Sequence, residues 1–177
     1  MGTPDNKQGD RPAVRARLVL TMKFYNYDIV FQEIPDEVTL AINITGCPNH
    51  CPECHSRFLW NDVGEELNEN SLTAIIHEYQ SAITCVCLMG GDQDPAGIDR
   101  LAAFIRSQFA PIKTGWYSGR QQLAPEVDLS HLDFVKLGPY IADRGPLKSE
   151  NTNQHLYRVH PDGQLEDITF RFWRKKL

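Results

Sequence analysis

No apolar run in the 177-residue sequence approaches the ~20 residues that crossing a bilayer requires, so the chain does not read as a membrane protein. Its opening, Met-Gly-Thr-Pro-Asp-Asn-Lys-Gln-Gly-Asp-Arg-Pro, lacks the apolar stretch of a secretory signal. Asn6 stands where a myristoylation pattern asks for Ser or Thr. Charge of one sign is not in large excess either. A net charge of −5 argues against a general nucleic-acid binder. Basic residues gather only at the ends (Arg11, Arg15 and Arg17; Arg171, Arg174, Lys175 and Lys176), which reads as solvated tails. Cysteine is sparse and odd in number. Three of the five fall within eight residues, unlike a secreted disulfide framework, and the expected compartment is a reducing cytoplasm. Missing too is any Ser/His/Asp set or paired-carboxylate arrangement; His77, His131, His155 and His160 are scattered and read as ordinary surface or core residues.

What is present is a single domain with enough apolar content, 41%, to bury a core. Residues 1–16 are polar, rich in Gly, Pro and Asp, and are expected to form a disordered tail ahead of a domain spanning 17–177. Tyr25 to Gln32 and Val38 to Ile44, split by the turn-like Pro35-Asp36, read as strands or a hairpin. A helix fits Ser71 to Ser81, where Leu72, Ile75, Ile76 and Tyr79 share one face and Asn70 or Ser71 would cap it. Ile83 to Met89 reads as a buried strand ending on Gly90-Gly91-Asp92. A second helix runs from Pro95 to Phe109, short strands follow at Lys113 to Ser118 and Phe134 to Leu137, and Pro161-Asp162-Gly163 marks a C-terminal hairpin. This βα repetition predicts an α/β fold with a mostly parallel sheet, an open partial (βα) barrel. Ligands of such sheets sit beyond the carboxyl ends of the strands, where both the cysteine loop and Gly90-Gly91-Asp92 are expected.

Residues 46–55 read Gly-Cys-Pro-Asn-His-Cys-Pro-Glu-Cys-His. Cys47, Cys51 and Cys54 supply three thiolates, one short of the four that a structural zinc or a 4Fe–4S cluster normally takes. Zinc would have to recruit His50, His55, Cys85 or Cys87. Cys85 and Cys87, however, lie on the buried strand, where free cysteine behaves as a small hydrophobe. An iron–sulfur cluster would keep one iron open to a ligand from outside the chain.

The spacing Cys-x-x-x-Cys-x-x-Cys over Cys47, Cys51 and Cys54 resembles the cluster motif of the radical S-adenosylmethionine superfamily. Gly90-Gly91-Asp92 resembles that superfamily's glycine-rich motif. Tyr25 to Phe31, Gly46-Cys47-Pro48, Trp116 to Gly119, Lys136 to Ile141 and Thr152 to Arg158 resemble one branch, the activating proteins of anaerobic ribonucleotide reductases. The similarity runs over about residues 17–173. It implies a radical SAM type of partial barrel, a 4Fe–4S cluster on Cys47, Cys51 and Cys54, and S-adenosyl-L-methionine held by Glu53, Cys54, His55, Gly90, Gly91 and Asp92. The implied reaction is reductive cleavage of that cofactor to a 5′-deoxyadenosyl radical, which takes a hydrogen from a glycine of the reductase. A low-potential donor such as flavodoxin or ferredoxin is implied as well. Glu53 stands where many members carry an aromatic residue against the adenine, and Ile34 to Val38 lacks the glycines common in this branch. A radical enzyme acting on a small molecule, similar to carboxy-deazaguanine synthases, is the alternative within this chemistry; a non-catalytic zinc or iron–sulfur module is the alternative outside it.

Overall fold

A computed structural model describes residues 21–173. The expected tail over 1–16 and the basic residues Arg11, Arg15, Arg17, Arg174, Lys175 and Lys176 lie outside the described residues, whereas Arg171 pairs with Asp36.

Eight strands form one sheet: β1 (Lys23–Val30), β2 (Thr39–Ile44), β3 (Glu65–Glu66), β4 (Cys85–Met89), β5 (Lys113–Tyr117), β6 (Phe134–Leu137), β7 (His155–Val159) and β8 (Leu165–Asp167), in the order β3-β1-β2-β4-β5-β6-β7-β8. The sheet is mixed, which corrects the expectation of a mostly parallel one. β2, β4, β5 and β6 are parallel neighbours, but four of the seven pairings are antiparallel. Topology explains the difference. A parallel pairing needs a crossover of about a dozen residues or more; the short connections β1 to β2 and β7 to β8 rule one out, whereas the segment from β6 to β7 is long enough and the chain still returns antiparallel. The outer strands pair antiparallel with their inner neighbours. The expected C-terminal hairpin is β7 with β8, although its second strand stops at Asp167 and a 3₁₀ turn, Thr169–Phe172, follows.

Two helices fill the first two crossovers, α1 (Glu69–Tyr79) and α2 (Pro95–Gln108). The first begins two residues before the apolar spacing shows. Asn68 is its cap, accepting from the backbone N–H of Asn70 and Ser71, while the Ser71 hydroxyl accepts from the Asn68 N–H. This reciprocal pair satisfies helix-end donors. It escapes an apolar-periodicity reading because Glu69 and Asn70 are polar. α2 starts on Pro95, whose missing N–H costs nothing in the first turn, with Asp94 as cap.

Alternation along the strands assigns the two faces of the sheet. Leu40, Ile42, Val86, Leu88, Trp116 and Val135 pack with the apolar stripes of both helices. The opposite face holds a smaller cluster of Ile34, Cys85, Cys87, Phe134, Leu147, Leu156 and Ile168. Both helices therefore cover one face, and the other is closed by loops. The carboxyl ends of β2, β4, β5 and β6 lie along one edge, and each passes directly into a segment of the candidate site.

Candidate metal centre

The cysteine loop leaves the end of β2 and is closed on itself by backbone hydrogen bonds. The N–H of Gly46 donates to Asn61 and that of Cys47 to Leu59, at 3.2 and 2.9 Å, so the loop's entry rests against its exit, the 3₁₀ turn Arg57–Trp60. Inside the loop Pro48 and Pro52 remove N–H donors and exclude regular structure. His50 and Glu53 take left-handed backbone, φ 43° and 58°, which curls the chain between the cysteines. Cys47, Cys51 and Cys54 are free and half-buried. Two N–H groups point at sulfur: Ser56 to Cys54 at 3.3 Å and the Asn49 amide to Cys47 at 3.8 Å. Burial pushes the Cys47 thiol up; the Asn49 backbone N–H opposes that shift and the charge of Asp92 adds to it. The neighbouring histidines have aromatic partners, His50 stacked on Trp60 with centroids 4.7 Å apart and His55 edge-on to Tyr140 at 5.2 Å.

Gly90-Gly91-Asp92 follows β4, the strand beside β2. Gly91 sits at φ +87°, and a Cβ there would fall 2.4 Å from Ile98 of α2, so the position demands glycine twice over. Asp92 is 1% exposed. Its carboxylate accepts from the Asn49 amide at 2.5 Å, the Ser118 hydroxyl at 2.6 Å and the Gly119 N–H at 2.8 Å. The Arg120 guanidinium reaches it at 4.0 Å and donates to the Asp92 carbonyl at 2.6 Å. Asp92 thus ties the cysteine loop, through Asn49, to the end of β5, through Ser118 and Gly119. Of the other residues implied as cofactor-binding, Glu53 and His55 are exposed on the cysteine loop itself.

A family model described as a 4Fe-4S single cluster domain matches residues 38–158, well over half of the chain. The chain belongs to this 4Fe-4S single cluster domain family. No curated protein and no solved structure matches it.

The donor set fits the cluster of this single-cluster family. A cubane takes one thiolate on each iron, so its sulfurs need not converge. Among the described residues no three His, Cys, Asp or Glu side chains come together closely enough for one metal ion. Cys47, Cys51 and Cys54 would serve three irons, and N–H groups aimed at the sulfurs of Cys47 and Cys54 are of the kind that tune cluster potentials. Cys85 and Cys87 point to the face away from the helices, among Ile34, Phe134 and Leu156, and burial holds both thiols well above their usual range. They pack into this apolar cluster. Cys85→Ala and Cys87→Ala should each cost about 1 kcal/mol, the scale of a small core truncation, in urea unfolding. Iron content should stay that of the parent protein; loss of iron from either variant would move the cluster's ligand set.

Sequence reasoning did not assign roles to Asn49, Ser118, Gly119 or Arg120. Ser118 and Gly119 lie in the stretch Trp116 to Gly119 that carries part of the resemblance, but the partner through which each acts, Asp92, lies across the sheet. Lys136 did carry a signal, as a charged residue within the short apolar strand Phe134–Leu137, and it is 8% exposed. The scattered histidines pair locally, His131 with Asp99, His155 with Asp167 and His160 with Glu166, while His77 lies edge-on to Phe109.

Proposed function

We propose that this chain is a radical S-adenosylmethionine activase that generates a glycyl radical on an anaerobic ribonucleotide reductase. One observation carries the reading: a three-cysteine loop and a Gly-Gly-Asp turn leave adjacent parallel strands at one sheet edge and are fastened to each other by Asp92. Cys47, Cys51 and Cys54 would hold the cluster, with an iron left open for S-adenosylmethionine. Gly90, Gly91 and Asp92, with Glu53, Cys54 and His55, border the cofactor. A bound cluster would supply the electron, taken from the external donor, for reductive cleavage of S-adenosylmethionine to methionine and a 5′-deoxyadenosyl radical, which would take a hydrogen atom from the partner's glycine. The protein's own part is to position and to exclude water. On this reading the sheet is a partial barrel of the radical SAM type, its incomplete side open to a foreign loop. The exposed Tyr25 and Phe58, with rings 4.9 Å apart beside the cysteine loop, offer apolar surface for a protein-sized substrate. Electrons come from a low-potential donor of the flavodoxin or ferredoxin kind.

The test is electron paramagnetic resonance. The anaerobically reconstituted protein, given dithionite and S-adenosylmethionine, should release 5′-deoxyadenosine. With an anaerobic ribonucleotide reductase present, it should give the doublet of a glycyl radical on the partner. Cofactor cleavage with no doublet would redirect the reading to a small-molecule substrate, and no cleavage at all would end it.

A further inference from the structure

Lys136 is a buried cation without a carboxylate partner. Its ammonium donates to the carbonyls of Gly138 and Ser118, at 2.7 and 3.3 Å, and its third N–H has no acceptor among the described residues. Along its row of the sheet the neighbours are uncharged, Tyr117 on β5 and Leu156 on β7. Taking an ammonium out of water costs several kcal/mol unless an opposite charge offsets it. Asp92 is close enough to act on Lys136, yet three donors already occupy its carboxylate and Arg120 lies beside it. Through the Ser118 carbonyl Lys136 joins the residues that meet on Asp92, and one of them, the Asn49 amide, also donates to the sulfur of Cys47. Burial draws its pKa down to about 8 even though Asp92 and the three cysteines pull the other way. A lysine on β6 thus lies at the joint that carries the cysteine loop, whose thiolates a cluster would fix.

We propose that Lys136 is the counter-charge of the three-cysteine centre, a positioning residue whose ammonium favours the reduced state of the bound cluster. The inference rests on the family's 4Fe–4S cluster and does not need the activase reading. One-electron reduction adds a negative charge to the site, and in a low-dielectric interior a fixed cation stabilises the more negative state more. Hydrogen bonds, net charge and burial are the means by which proteins set such potentials.

The experiment is a redox titration of the anaerobically reconstituted full chain, followed by the resonance of the reduced cluster, with iron and sulfide counted in each sample. Lys136→Met should lower the reduced-to-oxidised ratio at a given potential about tenfold, which for one electron is a midpoint about 59 mV more negative. Lys136→Arg, which keeps the charge, should stay within about threefold of the parent. Iron retained by Lys136→Arg but lost by Lys136→Met would also support the counter-charge. An unchanged midpoint in Lys136→Met would overturn the proposal, as would equal shifts or equal iron loss in both variants, since those report packing. Failure of the parent chain to take up iron and sulfide would defeat the cluster itself, and that outcome is read before any variant is made.

Discussion

Replacing any one of Cys47, Cys51 or Cys54 by alanine should abolish release of 5′-deoxyadenosine and reduce bound iron from about four per chain to less than one. The expectation follows from the ligand count. With three thiolates the cluster is already one short, so losing another leaves two irons without cysteine, and the described residues hold no spare thiol at this edge of the sheet. The fold should survive, because the three cysteines lie half-buried on a loop and contribute nothing to either apolar cluster. Urea unfolding of the apo variants should remain within about 1 kcal/mol of the parent apo protein. The pattern is the reverse of that expected for Cys85→Ala and Cys87→Ala, where stability falls and iron stays. Four irons retained in any loop variant, with the cluster's absorbance unchanged, would show that a different side chain ligates it.

Much of the scaffold was legible in the sequence because its signals are local. The run Cys85–Met89 is apolar and short, α2 carries both its proline start and its apolar stripe, and the cysteine spacing lies within one loop. The turn Pro161-Asp162-Gly163 made the β7–β8 hairpin legible, but not the direction in which β7 meets β6. β7 has ordinary strand composition, and nothing in His155–Val159 states that it runs against β6. The two-residue β3, Glu65–Glu66, is too short to leave any periodicity. At the site, Gly90-Gly91-Asp92 could be placed at a strand end, and Asp92 could be read as a carboxylate awaiting a cation. Its three donors could not be read, since Asn49, Ser118 and Gly119 meet it from two other loops, separated from it by 43, 26 and 27 positions.

That convergence makes Asp92 the second position where a large effect is expected. Asp92→Ala removes the acceptor for the Ser118 hydroxyl, the Gly119 N–H and the Asn49 amide at once, in a place where water has little access. Each buried donor left unmade costs about 1–3 kcal/mol. The expected loss in urea unfolding is on the order of 3 kcal/mol, with cluster retention falling because the cysteine loop loses its tie to β5. Since so large a loss could lower iron content through instability alone, Asn49→Ala is the sharper probe. It leaves the Ser118 and Gly119 bonds to Asp92 in place and removes the link to the loop together with the amide's contact to the Cys47 sulfur, so stability should change by about 1 kcal/mol while iron is lost from the reconstituted protein severalfold faster to a chelator. Gly119→Ala approaches the same joint from the other side, because a Cβ there would fall 2.3 Å from the Asn49 amide nitrogen and displace it. Iron held by both variants as tightly as by the parent would mean that the loop keeps its shape through Gly46, Cys47 and the 3₁₀ turn alone, and that Asp92 serves only the packing of β4 against β5.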